Sequence, residues 1–143
     1  MRILLLNGPN LGMLGTRQPE IYGTTTLAQV VEAVRAHAEA KGSTVDALQS
    51  NHEGALIDRL EQRDYDGVII NPGALAHTSY ALHDAIIGAE RPVIEVHVSD
   101  IRTREPWRRL SVIELAVSGQ VIGKGWQGYL EAVDLLLEKE EAP

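Results

Sequence analysis

The sequence predicts an α/β fold, a doubly wound five-stranded parallel sheet of order 2-1-3-4-5 with helices on both faces. Three observations predict it. Short apolar runs alternate along the chain with segments of helical periodicity, which implies parallel pairing through right-handed crossovers. Five such strand–helix units fit into 143 residues. The apolar runs also end in polar or tight-turn residues, and in open α/β sheets ligands bind beyond the carboxyl ends of the strands.

The elements follow in order. "ILLL" (3–6) is a continuously apolar first strand. Leu27, Val30, Val31, Val34 and Ala38 recur at helical spacing. Thr26 with Gln29 three residues on reads as a capping box, and Gly42 as the stop. "STVDALQS" is a second, poorer strand, and "HEGALIDRLEQ" a short helix carrying Leu56, Ile57 and Leu60. The third strand is Val68 to Ile70. "SYALHDAIIG" is a helix with Ser79 as N-cap. "RPVIEVHVSD" is the fourth strand, "EPWRRL" a helical turn with Pro106 in its first turn, and "GQVIGKG" the fifth strand. "WQGYLEAVDLLLEKEE" closes the chain as a helix, and its "EEAP" end is expected to fray. The whole describes one flavodoxin-like domain, 1–143.

Bulk properties narrow the class. Hydrophobic residues make up 44% and charged residues 23%, ordinary for a globular chain. A net charge of −7 argues against a nucleic-acid surface. No cysteine is present, so neither a disulfide framework nor a thiolate metal site is available. The N-terminus lacks the apolar core of a signal peptide, and no later run is long enough to span a membrane. A cytoplasmic protein is the expectation. Phe is absent, so the core must be built from Leu, Val, Ile and Ala, and each Tyr and Trp invites a question.

The switch point of a 2-1-3-4-5 sheet lies between strands one and three, with strand four beside them. The three strand ends read "NGPN", "NPG" and "EVHVSD". Strand four stands out. Ile94, Val96 and Val98 share one face, while Glu95, His97 and Ser99 share the other. Polar groups on a buried face are expensive unless partnered. Either this strand lies at a solvated edge, or Glu95 orients His97 as an acid–base group.

The loop "NGPNLGMLGTRQPEIYG" (7–23) matches neither dinucleotide nor P-loop spacing and is too long for a bare connector. It carries Arg17 and Tyr22. A free tyrosine, with a pKa of about 10, is a weak base at neutral pH. A permanent positive charge beside it favours phenolate. Arg17 next to Tyr22 could make a general base; alternatively, Tyr22 packs the loop and Arg17 pairs with Glu20. His77 precedes the Ser79 cap and reads as an anion or hydroxyl site or as a solvated histidine. Asn71 ends strand three. Arg104 and Arg108, four apart, are expected on one helix face, either clamping a carboxylate or forming a surface patch. His37 and His52 read as exposed. No histidine pair has metal-ligand spacing, and no metal is expected.

Four stretches, "LNGPNLGMLGTRQPEIYG", "NPGALAHTS", "IEVHVSDIRTREPWRRLS" and "VIGKGWQGY", resemble the type II 3-dehydroquinate dehydratases in order along the chain. The resemblance implies a flavodoxin-like fold, anti elimination of water from 3-dehydroquinate to give 3-dehydroshikimate, no metal, no cofactor, and a homo-oligomer, commonly a dodecamer of four trimers. It implies Tyr22 as the base, Arg17 as the group keeping it ionised, Asn10 holding the water that stabilises an enolate, His97 as the acid and Glu95 orienting it. Asn71, His77, Asp84, the Val98–Ser99 backbone and Arg108 match substrate-binding positions, with Asp84 reaching a neighbouring subunit's site. Trp107, Leu110 and Trp126 are candidate subunit contacts. Leu75, Ala76, His83, Gln18, Asp100, Pro106 and Lys124 depart from the usual pattern. The three lysines, Lys41, Lys124 and Lys139, are poorly placed for the Schiff base of the unrelated type I enzymes. The competing expectation is a non-enzymatic flavodoxin-like module binding a nucleotide or flavin, which the fold alone would allow.

Overall fold

The computed structural model describes residues 1–141. Five strands, β1 (Arg2–Asn7), β2 (Thr44–Gln49), β3 (Gly67–Asn71), β4 (Val93–His97) and β5 (Gly119–Ile122), form one sheet in the order β2-β1-β3-β4-β5. Every pairing is parallel. Five helices accompany them: the single turn α1 (Pro19–Tyr22), then α2 (Leu27–Glu39), α3 (Glu53–Glu61), α4 (Tyr80–Ala89) and α5 (Gly128–Glu141).

Alternation along the strands divides the core in two. Ile3, Leu5, Ile69, Ile94 and Val96 face α2 and α5, meeting Val30, Val34, Tyr129, Val133 and Leu136. Leu4, Leu6, Val68 and Ile70 face α3 and α4, meeting Leu56, Leu60, Leu82 and Ile86. Residues one apart on a strand point to opposite faces, so a continuous apolar run is what a sheet covered on both sides requires.

The local signals formed the structures expected of them. Thr26 Oγ1 accepts from the Gln29 amide and Gln29 Oε1 accepts from the Thr26 amide, completing the capping box. Gly42 adopts φ +80° just past α2, where only glycine is unstrained. Ser79 Oγ caps α4 by accepting from Leu82 N–H. The end of the chain is helical through Glu141; the rest of the fraying expectation falls on Ala142 and Pro143, outside the described residues.

Three expectations are corrected. β4 lies between β3 and β5, so the solvated-edge reading of its polar face does not hold. Arg104 and Arg108 share no helix: Arg104 is extended and lies between two separate helical turns, Ile101–Thr103 and Pro106–Arg108. Proline disfavours the helical conformation at the residue before it, and Glu105 is accordingly extended at ψ 147°. His37 is not exposed; it is half-buried, its Nε2 2.8 Å from Asp134 Oδ1, joining α2 to α5 with Lys41 on the same carboxylate.

Candidate active site

The carboxyl ends of β1, β3 and β4 open into one cleft. Its floor depends on two loops pressed together. Asn7 and Asn71 lie in register on adjacent strands, and Gly8 N–H donates to Asn71 O at 2.8 Å. A Cβ on Gly8 would stand 2.6 Å from the Pro72 carbonyl oxygen, and one on Gly73 (φ +58°) would stand 2.8 Å from that of Pro9. Side chains would force these loops apart.

β4 supplies the buried charge. Glu95 is 0% exposed and accepts three hydrogen bonds. His97 Nε2 lies 2.6 Å from Oε2, Ser111 Oγ donates to Oε2 at 2.8 Å, and Gln120 Nε2 donates to Oε1 at 2.9 Å. Burial alone would raise the carboxyl's pKa. The hydrogen bond and charge of His97, with the bonds from Gln120 and Ser111, outweigh it, and the net direction is down. Glu95 is therefore a carboxylate, and the proton between it and His97 resides on Nε2. Nδ1 of His97 has no hydrogen-bond partner among the described residues, and the ring lines the cleft.

His77 follows β3. Its ring lies 6.3 Å from that of His97, nearly parallel, and edge-on to Trp107 at 5.5 Å. Nδ1 is 2.8 Å from the Leu110 carbonyl oxygen, which can only accept, so Nδ1 carries the hydrogen. Burial lowers its pKa, the Leu110 bond opposes this, and the charges of His97 and Arg108 add to the lowering. His77 is neutral at neutral pH.

The long loop after β1 also lines the cleft. Leu11 and Leu14 are buried and anchor it, while Asn10 sits at φ 71° with its amide bonded to Asn51. Arg17 and the α1 residue Tyr22 are half-buried. Among the described residues Arg17 makes no ion pair with Glu20; its guanidinium lies 5.5 Å from the Tyr22 ring centre. The partner of the phenol oxygen is Arg104, whose Nη1 donates to it at 2.6 Å and to Ser99 Oγ at 3.3 Å. Arg104 belongs to the site and was not among the residues singled out for Tyr22. Its signal was Pro106, which breaks the helix and frees Arg104 from Arg108.

The cleft has a volume of about 170 Å³. Asn10, Arg17, Tyr22, Asn71, His77, His97, Val98, Ser99, Arg104 and Arg108 all line it. Arg108 stacks on Trp107 at 4.0 Å and donates to Glu105. Glu95 stands behind His97. Asp84 is not brought to this cleft; it lies exposed on α4, in a separate depression with Ile57 and Arg63. Trp107 and Leu110 are exposed, whereas Trp126 packs partly buried against the α5 side of the core. Among the described residues no cluster of three His, Asp or Glu side chains is arranged to hold a metal ion, and no helix is long and apolar enough to cross a membrane.

Comparisons with known proteins bear on the family. The profile of the dehydroquinase class II family matches residues 1–137. The chain is 53% identical to the catabolic 3-dehydroquinase 1 of Aspergillus fumigatus, covering 92% of this chain and 89% of that protein. It is 53% identical to the 3-dehydroquinate dehydratase of Ruegeria pomeroyi, covering 94% and 91%. The crystal structure of type II dehydroquinase from Butyrivibrio crossotus superposes with a TM-score of 0.94 at 42% identity, covering 96% of this chain and 97% of the other. A fold shared at that level, a family profile spanning nearly the whole sequence, and a cleft lined by both an arginine-held phenol and a carboxylate-held imidazole lead to one conclusion: this chain belongs to the dehydroquinase class II family.

Proposed function

We propose that this chain dehydrates 3-dehydroquinate to 3-dehydroshikimate by anti elimination through an enolate. One observation carries the reading: a phenol oxygen bonded to Arg104 and an imidazole bonded to Glu95, each at 2.6 Å, line the same cleft. Elimination next to a ketone needs a base for a carbon-bound proton, a place for the enolate charge, and an acid for the leaving hydroxyl.

In this reading Tyr22, as phenolate, takes the C2 proton. The electron pair moves onto the carbonyl oxygen, where a water held by Asn10 stabilises the enolate. Arg17 and Arg104 keep negative charge favourable on the phenol side. The enolate then collapses, the C1–oxygen bond breaks, and His97 gives its Nδ1 proton to the departing hydroxyl, which leaves as water. Glu95 stabilises the imidazolium that makes this possible. Transfer of a proton from Tyr22 to His97 through solvent restores the enzyme. No step uses a metal or cofactor.

Asn71, His77, Arg108, Ser99 and the Val98–Ser99 backbone supply polar groups for a small polyhydroxy carboxylate. Asp84 reaches the cleft of a neighbouring subunit in a homo-oligomer, which we take to be a dodecamer of four trimers; its exposure outside its own cleft is consistent with this. Exposed Trp107 and Leu110 are contact residues in such an assembly. The unit is one catalytic domain, 1–143, acting in the cytoplasm, in the shikimate pathway to aromatic amino acids or in quinate breakdown. A nucleotide- or flavin-binding module is the weaker reading, because the loop after β1 wraps Tyr22 and Arg17 over the cleft and has no phosphate-binding spacing.

The test adds 3-dehydroquinate and follows the ultraviolet absorbance of the conjugated enone product. Turnover is expected, and none at high enzyme concentration would overturn the reading. Tyr22→Phe should reduce turnover by about 10²–10⁴-fold while product binding persists. Near-normal turnover in that variant would mean that the base is another group.

A further inference from the structure

Tyr129 touches no part of the cleft, yet it is wired to a residue that lines it. It is 0% exposed on the inner face of α5. Asn71 Nδ2 donates to its oxygen at 2.9 Å, and its own hydroxyl donates to Asn7 Oδ1 at 2.6 Å. Asn71 Oδ1 in turn accepts from Gly73 N–H at 3.1 Å. The directions of these bonds are forced. Gly73 N–H can only donate, so the Asn71 atom facing it must be oxygen. The other end, the NH₂, then faces Tyr129. Having accepted there, the phenol spends its single hydrogen on Asn7.

A turned-over Asn71 would oppose two donors at Gly73. It would also require the phenol to reverse, leaving the Asn7 oxygen without its donor inside the core. Burial pushes the Tyr129 phenol well above the ordinary tyrosine range, so the hydroxyl keeps the hydrogen this chain needs. Phenylalanine would fill the same apolar space on α5, so the hydroxyl is not required for core packing alone. Asn7 and Asn71 are paired across β1 and β3, and one phenol thus ties both strand ends from behind.

We propose that Tyr129 is a positioning residue that locks the Asn71 carboxamide in one orientation, so that the cleft always presents its remaining amide hydrogen and oxygen lone pair at the same places. A polyhydroxy substrate reads hydrogen-bond direction as well as distance, and an amide free to turn would bind it poorly. The inference rests on the dehydratase reading for its substrate.

The test is a double-mutant cycle on 3-dehydroquinate turnover. Tyr129→Phe should raise KM about tenfold, about 1.4 kcal/mol, with kcat changed less than twofold. Asn71→Ala should raise KM at least as much, and the double variant should be no worse than Asn71→Ala alone. An unchanged KM in Tyr129→Phe, or effects that multiply in the double variant, would overturn the proposal. An inactive wild type would instead defeat the dehydratase reading. Should Tyr129→Phe fail to fold, the wild type still decides. Its Asn71 side-chain amide, assigned by comparison with Asn71→Ala, should show one hydrogen strongly protected from solvent exchange without substrate. Rapid exchange of both hydrogens would overturn the proposal.

Discussion

Replacing Glu95 in two ways separates its electrostatic work from its hydrogen-bonding work. Its carboxylate is fully buried and holds three donors, from His97, Ser111 and Gln120. In Glu95→Gln the amide oxygen can stand where Oε2 stood and keep His97 and Ser111. The new NH₂ meets Gln120, which turns its own amide over to accept. Every contact survives and only the charge is lost. A charged hydrogen bond contributes about 1.5–3 kcal/mol against about 0.5–1.5 for a neutral one, so the imidazolium loses about 1.4 kcal/mol. That corresponds to roughly a tenfold fall in kcat. In Glu95→Ala three donors lose their acceptor inside the core, at about 1–3 kcal/mol each. Taking the lower part of that sum, about 3–5 kcal/mol, the melting temperature should fall by roughly 10–20 °C at this chain length. The assays are enone absorbance for kcat and circular dichroism for melting. The pH profile adds a sign. The pKa of Glu95 is lowered from an ordinary value of 4.5, so its stabilisation is complete above that value. It is withdrawn as pH falls through the depressed folded value, and Glu95→Gln should lack this acid transition. If Glu95→Gln melts as early as Glu95→Ala, charge rather than satisfied donors holds this part of the core. If its kcat equals wild type, His97 does not depend on the carboxylate, and the assigned acid is wrong.

Two other perturbations follow from the site. Arg104→Ala removes a guanidinium donor from the Tyr22 oxygen, about 1.5–3 kcal/mol if the oxygen is charged at the transition state, so kcat should fall about ten- to a hundredfold. Arg104→Lys should recover part of the loss, and a change under twofold would mean that Arg17 alone serves the phenol. The pKa of His77 is lowered from 6.5 by burial, so its contribution to stability is fully present above 6.5 and is lost as pH falls below it, where the unfolded chain takes up a proton the folded one resists. Urea unfolding at pH 7.5 and 5.5 should show a larger loss for wild type than for His77→Gln; equal losses would refute this.

Much of this protein is written in short stretches of its sequence. The capping box at Thr26 and Gln29, the Ser79 cap, the apolar runs of β1 and β3 and the period of α2 all depend on neighbours three or four residues away or on which faces a strand buries. The pairing of Glu95 with His97 was legible for the same reason: two residues apart on one strand face leaves little else for them to do. The partners that complete the site are far apart in the chain. Tyr22 and Arg104 are separated by 82 residues, Asn71 and Tyr129 by 58, and Asn7 and Tyr129 by 122. Only the crossovers of the doubly wound sheet bring the loops after β1 and β4 to one cleft and lay α5 over β3, β4 and β5, from where Tyr129 reaches Asn7 and Asn71. Even there a local signal existed, since Pro106 forbids the helix that would have paired Arg104 with Arg108. What no local rule could decide was which of two nearby arginines meets the phenol, because that depends on where the end of β4 comes to rest relative to a loop that begins ninety residues earlier.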